Sequence, residues 1–220
     1  MDNNKQIKPV KYTLRVFWQK RGNSKYVSHL DTQRAIQRAL TRSGLPVYYS
    51  QGYNPHPKLV FALPVSIYQE ALYDVFDIDI TEKLPPERAA EMLAAVMPAN
   101  TPVIGAAYPV KKFKELYAAS YEITLETSLS AAEVETALSG KVVVEKKSKK
   151  KCETVDISPM ILSISAKTGG EGKVLLSATL SAAPDAYLNP KYIVDALGDG
   201  VSFAETVRTM LFDKEMQPLR

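Results

Sequence analysis

The sequence predicts an α+β fold, and three observations carry the prediction. Segments of alternating apolar and polar residues, the period of a half-buried strand, recur along the whole chain. Between them lie helical segments with their own start and stop residues. The order strand, helix, strand, strand, helix, strand comes twice. That order is the ferredoxin-like unit, so the expectation is two tandem ferredoxin-like (βαββαβ) units with antiparallel sheets. The first spans residues 1–110 and the second residues 118–220, with a charged, irregular junction near 109–118. The halves share element order and no obvious residue identity.

Residues 12–19 form the first strand, with Tyr12, Leu14, Val16 and Trp18 on one face and Thr13, Arg15 and Gln19 on the other. Phe17 breaks the alternation, as it does in a strand covered on both sides. Ser28 with Asp31 three residues on resembles a capping box and starts a helix to about Ser43. Leu30, Ile36, Ala39 and Leu40 are expected to face inward. Gly44 ends the helix as the residue beyond its cap, and Pro46 stops it continuing. Residues 47–50 read as a short strand, 51–57 as a loop and 58–64 as extended chain. Residues 71–80 alternate cleanly. Pro85 and Pro86 open a second helix over 87–97, and 101–108 is a strand. In the second half, 120–126 is a strand and 130–138 a helix, with Ser130 and Glu133 a second capping box. Residues 141–146 are a strand, and Val155, Ile157, Ile161 and Ile164 continue the sheet. Strand 174–180, helix 189–197 and strand 203–212 complete the chain.

Composition sets limits. The chain has 220 residues, 45% hydrophobic and 24% charged, enough apolar material for a substantial core. No run of about 18 apolar residues exists, so no membrane span is expected. The first 16 residues hold no apolar signal-peptide core. The single cysteine, Cys152, excludes an internal disulfide. Together these point to the cytoplasm.

The formal charge of +4 hides an asymmetry. Residues 1–69 hold 11 Lys and Arg against Asp2 and Asp31, a surplus of +9; the remainder holds 17 basic and 22 acidic residues, or −5. A basic first third suits a polyanionic partner. It is equally a surface whose cations pair with acids of the same chain.

Residues 28–64 hold the richest chemistry: both histidines and, between Thr32 and Gln69, no acid at all. Arg34, Arg38 and Arg42 recur at intervals of four along one helix ridge, clear of the apolar stripe. Their planar forks suit phosphate; the alternative is a solvated face neutralised by Asp74, Asp77 or Asp79. His29 sits in the first helical turn, where a neutral imidazole is favoured. It is a candidate general acid or base, beside Asp31, or a packing residue. His56 lies in a loop stiffened by Pro55 and Pro57. There Tyr49 and Tyr53 offer stacking faces, Asn54 a hydrogen-bonding edge and Lys58 a cation. The alternative is a turn whose aromatics cover the sheet.

Other chemistries find no pattern. No metal site is expected: His29, Asp31, His56 and Cys152 share no ligand spacing, and Asp77 with Asp79 reads as well as an exposed strand face. No nucleophile elbow or phosphate-binding glycine loop is present; residues 169–172 read as a hairpin turn. The lysine run 146–151 reads as a solvated hairpin tip or a phosphate clamp.

Several motifs together carry a resemblance. They are RVFWQKRG from Arg15, YVSHLD over 26–31, the three arginines followed by GLP at 44–46, YSQGYNPHPK over 49–58 and FALP over 61–64. With VDISPMI over 155–161, they resemble the radical-SAM-linked family of unknown function, whose members occur as separate proteins or joined C-terminal to a radical SAM domain. The resemblance covers most of the chain and is densest from Arg15 to Pro64. It implies a radical SAM protein as partner and carries over no catalytic residue. The CxxxCxxC motif is missing, and one cysteine cannot hold an iron–sulfur cluster. No cofactor is therefore expected in this chain: iron–sulfur and S-adenosylmethionine enter only through the partner. The expectation is a binding module for RNA, of tRNA-like kind, with Arg34, Arg38, Arg42 and Lys58 on phosphates and Tyr53 and Asn54 on a base. The alternatives are a metal-independent RNA-processing enzyme using His29 or His56, and a protein-docking adaptor.

Overall fold

The computed structural model describes residues 10–147 and 152–220. Residues 148–151, most of the lysine run, lie outside the described residues, as do 1–9. The elements are β1 (Tyr12–Lys20), α1 (His29–Arg42), β2 (Leu59–Phe61), β3 (Gln69–Ile80), α2 (Pro86–Ala94), β4 (Val103–Ala107) and β5 (Leu116–Thr127). They continue with α3 (Ala131–Ser139), β6 (Val143–Lys147), β7 (Cys152–Asp156), β8 (Ile161–Gly170), β9 (Lys173–Ser181), α4 (Lys191–Ala196) and β10 (Val201–Asp213). The fold is mixed α+β, with a large, mostly antiparallel sheet.

That sheet has eight strands in the order β4-β1-β3-β10-β5-β9-β8, with β2 also on β3, and β6 with β7 forms a separate hairpin. β3 is the hinge of the arrangement. One edge pairs antiparallel with β1 from Tyr12↔Ile80 to Lys20↔Ala71. The other edge is divided: Phe76–Ile78 pairs with β2, and Gln69–Ala71 runs parallel to Thr206–Arg208 of β10. This short parallel seam joins the halves.

Each half packs its helices on its own strands. Leu14, Val16 and Trp18 of β1 and Phe76, Ile78 and Ile80 of β3 meet Ile36, Ala39 and Leu40 of α1 and Ala89 and Leu93 of α2. In the second core, Val134 and Leu138 of α3 and Ile193 of α4 cover Tyr121, Ile123, Leu125, Leu176 and Leu180. Burying each such side chain stabilises the fold by roughly 1.5–3 kcal/mol before entropy is counted. No helix among the described residues is long and apolar enough to cross a membrane.

Most predicted elements are present, with boundaries moved by a few residues. Two expectations fail. Leu30 is 53% exposed and does not join the core. Six positions separate it from Ile36, which on a 3.6-residue helix places it on the far side; Thr32, four before Ile36, takes the inward place. The strand expected over 47–50 is two single bridges, Val47↔Ile80 and Tyr49↔Pro57. Pro46, Pro55 and Pro57 remove ladder donors there, and the pairing passes to β2. The helix stop is as expected: Gly44 adopts φ +71°, the left-handed conformation that glycine enters without a Cβ penalty.

Candidate functional site

Ser28 caps α1: its hydroxyl oxygen accepts from the Asp31 backbone N–H at 3.1 Å and its O–H donates to Asp31 Oδ2 at 2.7 Å. That hydroxyl, with Arg34 close by, holds the Asp31 carboxyl below its usual range. Arg34 Nη1 reaches Asp31 Oδ1 at 3.2 Å, so one of the three ridge arginines has an acid after all. Arg42 donates to the Val96 carbonyl at 3.3 Å. Arg38 is exposed and has no ion pair among the described residues. Asp74, Asp77 and Asp79, the acids considered as partners for this ridge, are engaged elsewhere.

The 50–57 loop stands against the same helix. Its ends close on each other: Ser50 N–H donates to the His56 carbonyl at 2.9 Å, and His56 N–H to Ser50 Oγ at 3.2 Å. His56 Nδ1 lies 3.0 Å from the Asn54 carbonyl and 3.2 Å from Ser50 Oγ. A carbonyl only accepts, so the contact with Asn54 requires a proton on Nδ1. Gln37 Nε2 donates to the Pro57 carbonyl and Tyr49 O–H to Thr41 Oγ1, each at 3.5 Å, tying the loop to α1. Tyr53 stands fully exposed at the loop tip, with Asn54 beside it. Lys58 is exposed where β2 begins.

Much of the N-terminal basic surplus is spent inside the chain. Arg15 is buried and grips Asp77 through Nε at 2.8 Å and Nη2 at 2.9 Å, with its guanidinium 4.2 Å from the Phe113 ring centre. Lys11 meets Asp79 at 2.6 Å and Lys25 meets Glu205 at 2.6 Å. Burial alone would raise the Asp79 carboxyl; hydrogen bonds from Lys11 and Thr13, helped by Lys58, hold it below the usual range. Asp77 and Asp79 are therefore ion-pair partners of cations and not the exposed strand face the sequence suggested: Asp79 is buried and Asp77 half-buried, because each packs under its cation. Among the described residues no group of three or more His, Cys, Asp and Glu is arranged to hold a metal.

His29 is half-buried, its ring edge-on to Phe61 at 4.8 Å between centroids. Burial, then the charge of Lys20, pushes its imidazole below the ordinary value. No hydrogen bond or ion pair among the described residues joins His29, Asp31 and His56.

A polar cluster at the seam was not singled out from the sequence. Asp74, Arg208 and Lys20 are all buried. Arg208 Nη2 lies 2.8 Å from Asp74 Oδ2 and donates to the Leu63 carbonyl at 2.9 Å. Lys20 Nζ donates to the Val27 carbonyl at 3.0 Å. Burial lowers the Lys20 pKa, with Arg208 adding to the effect against the pull of Asp74. Burial likewise raises the hydroxyls of Tyr121 and Tyr187, which flank Arg208. Asp74 could have been flagged as a carboxylate among Leu72, Phe76, Ile78 and Ile80. Its partner lies 134 positions away, beyond any local spacing.

No curated protein matches the chain. A crystal structure of an unknown protein from Galdieria sulphuraria is similar at 12% identity and a TM-score of 0.27, over 90% of this chain and 99% of that one. Residues 13–190 match the profile of a family described as uncharacterized protein conserved in bacteria, DUF2344, and this chain belongs to that family.

Proposed function

We propose that this chain is an RNA-binding module, for a structured or tRNA-like RNA, that presents its ligand to a radical SAM partner in the cytoplasm. The observation that carries the reading is the pairing of exposed cations with a braced aromatic loop. Arg38, Arg42 and Lys58 remain on the surface after the internal ion pairs are formed, and Tyr53 stands free on a loop bonded to the same helix. Cations along a ridge follow a phosphate backbone, and an exposed tyrosine stacks on an unpaired base with little sequence preference. Asn54, next to Tyr53, supplies a hydrogen-bonding edge for that base.

The radical SAM partner rests on the motif resemblance over residues 15–64 and 155–161. Iron–sulfur and S-adenosylmethionine chemistry belongs, in this reading, to that partner. The strand orders support two ferredoxin-like units: β4-β1-β3-β2 in the first half and β10-β5-β9-β8 in the second have the same pattern once the β6–β7 hairpin is set aside.

The test is filter binding of a tRNA-like hairpin RNA between 50 and 200 mM salt. Wild type should show steep salt dependence, and Arg34/Arg38/Arg42→Ala a shallower one. Unaltered affinity in the triple variant sinks the reading.

A further inference from the structure

β10 is a long strand with an incomplete partner. On the β5 side it is paired from Val201↔Thr127 to Asp213↔Leu116. On the other side β3 covers only Thr206–Arg208. Further on, the C-terminal segment takes over, with Asp213 N–H donating to the Gln217 carbonyl and Leu219 N–H to the Leu211 carbonyl, both at 2.9 Å. Ahead of Thr206 that side opens onto a cleft of about 470 Å³. Residues 201–204 all line it. Successive strand residues point to opposite faces, so a consecutive run turned to one cleft presents the strand's backbone edge.

The lane is open because β3 begins late. The chain enters it through Tyr68 at φ +69°, left-handed and unfavourable for an aromatic residue by roughly 1–2 kcal/mol. Tyr68 is held there by its N–H donating to the Lys25 carbonyl at 2.7 Å and by edge contact with Tyr26. Beyond this turn the cleft is flanked by apolar side chains in solvent: Tyr68 is 69%, Phe203 57% and Ile67 44% exposed.

The geometry points to a strand-docking site: an extended segment of another polypeptide, apolar at alternate positions, adds beside β10 in the lane ahead of Gln69. Residues 201–205 offer about 16 Å of edge, room for four or five residues. Charge disfavours a nucleic acid here. Glu205 and Glu70 share Lys25, and Asp195 takes Lys191, so these two lysines beside the lane are already paired with acids. The site is separate from the α1 ridge and does not depend on RNA binding.

The test is selection of phage-displayed random decapeptides on the full chain, counter-selected on Phe203→Asp. Enriched peptides should carry apolar side chains at alternate positions. The best, synthesised and titrated by fluorescence anisotropy, should bind at least tenfold more weakly to Phe203→Asp and to Ile67→Asp, both folded by circular dichroism, and equally well to Arg38→Ala. N-methylation along the peptide should weaken binding tenfold at every second residue only. No enrichment over the counter-selection, or an N-methyl scan without that period, overturns the proposal. So does a dimer in sedimentation that Phe203→Asp abolishes, which would make a second copy the occupant.

Discussion

Asp74 and Arg208 meet at 2.8 Å on the two strands that join the halves of the sheet, with both side chains buried. Burial works against each charge. It pushes the Asp74 carboxyl up to about 6 in spite of Arg208 and Lys20. For Arg208 the surrounding acids outweigh burial, and its pKa is raised. The carboxylate is thus the weaker member, and the guanidinium stays protonated throughout. Removing one member strands the other, at a cost of about 3–5 kcal/mol. Asp74→Asn and Arg208→Met should each lose that much in urea unfolding, whereas Asp74→Leu with Arg208→Met should lose clearly less than the two together. Additive losses would show that the pair does not act as a unit.

Asp74 and His29 predict two opposed pH slopes. Below about pH 4 Asp74 is protonated folded and unfolded, and above about 6 in neither state; between, only the folded protein holds the proton. Its contribution to stability therefore falls as pH rises through that window. His29 behaves oppositely. Its folded pKa is depressed, so the unfolded chain takes up the proton first, and stability falls as pH drops below about 6.5. In wild type the two slopes offset each other where they overlap. His29→Gln should remove the loss on acidification and leave stability rising from pH 6 towards 4 relative to wild type. Urea midpoints at half-unit pH steps measure this, and an unchanged profile contradicts it.

The parts of the fold legible in the sequence are those set by local period and local caps. Ser28 and Ser130 both cap their helices, and Gly44 takes the left-handed turn. The alternation over 71–80 sets Phe76, Ile78 and Ile80 on one face of β3, and that face lies in the core. Leu30 is apolar, but its angle on the helix turns it away from Ile36 and into solvent. The seam between β3 and β10 was not legible, since three paired residues separated by more than 130 positions leave no periodic trace. At the candidate site, residue types were readable and pairings were not. The arginine spacing is visible in the sequence, but only the fold shows that Asp31 takes Arg34 and leaves Arg38 open.

The VDISPMI segment has a structural role. Asp156 Oδ1 accepts from Ser158 N–H at 3.0 Å and from Ser158 Oγ at 2.6 Å, and the Val142 N–H donates to Ser158 Oγ at 2.7 Å. Ile157 is fully buried, with its N–H on the Val142 carbonyl at 2.8 Å. The segment fastens the β6–β7 hairpin to the start of β8. Ser158→Ala leaves the Val142 N–H without its side-chain acceptor and should cost about 1–3 kcal/mol. RNA affinity should be unchanged, which separates this motif from the α1 ridge.

The α1 ridge itself should divide by residue. Arg34 is already paired with Asp31, whereas Arg38 is open. If the ridge follows single-stranded RNA, Arg38→Ala should lower the slope of log affinity against log salt by about 0.7, the value of one phosphate contact. Arg34→Ala should change it less, because much of that charge is already matched. If Tyr53 stacks on a base, Tyr53→Ala should weaken binding by about 1–3 kcal/mol at every salt concentration and leave the slope alone. Equal slope changes for Arg34→Ala and Arg38→Ala would show that the Asp31 contact does not persist in the complex. A Tyr53→Ala effect that vanished at high salt would show that the loop contributes charge placement and not stacking.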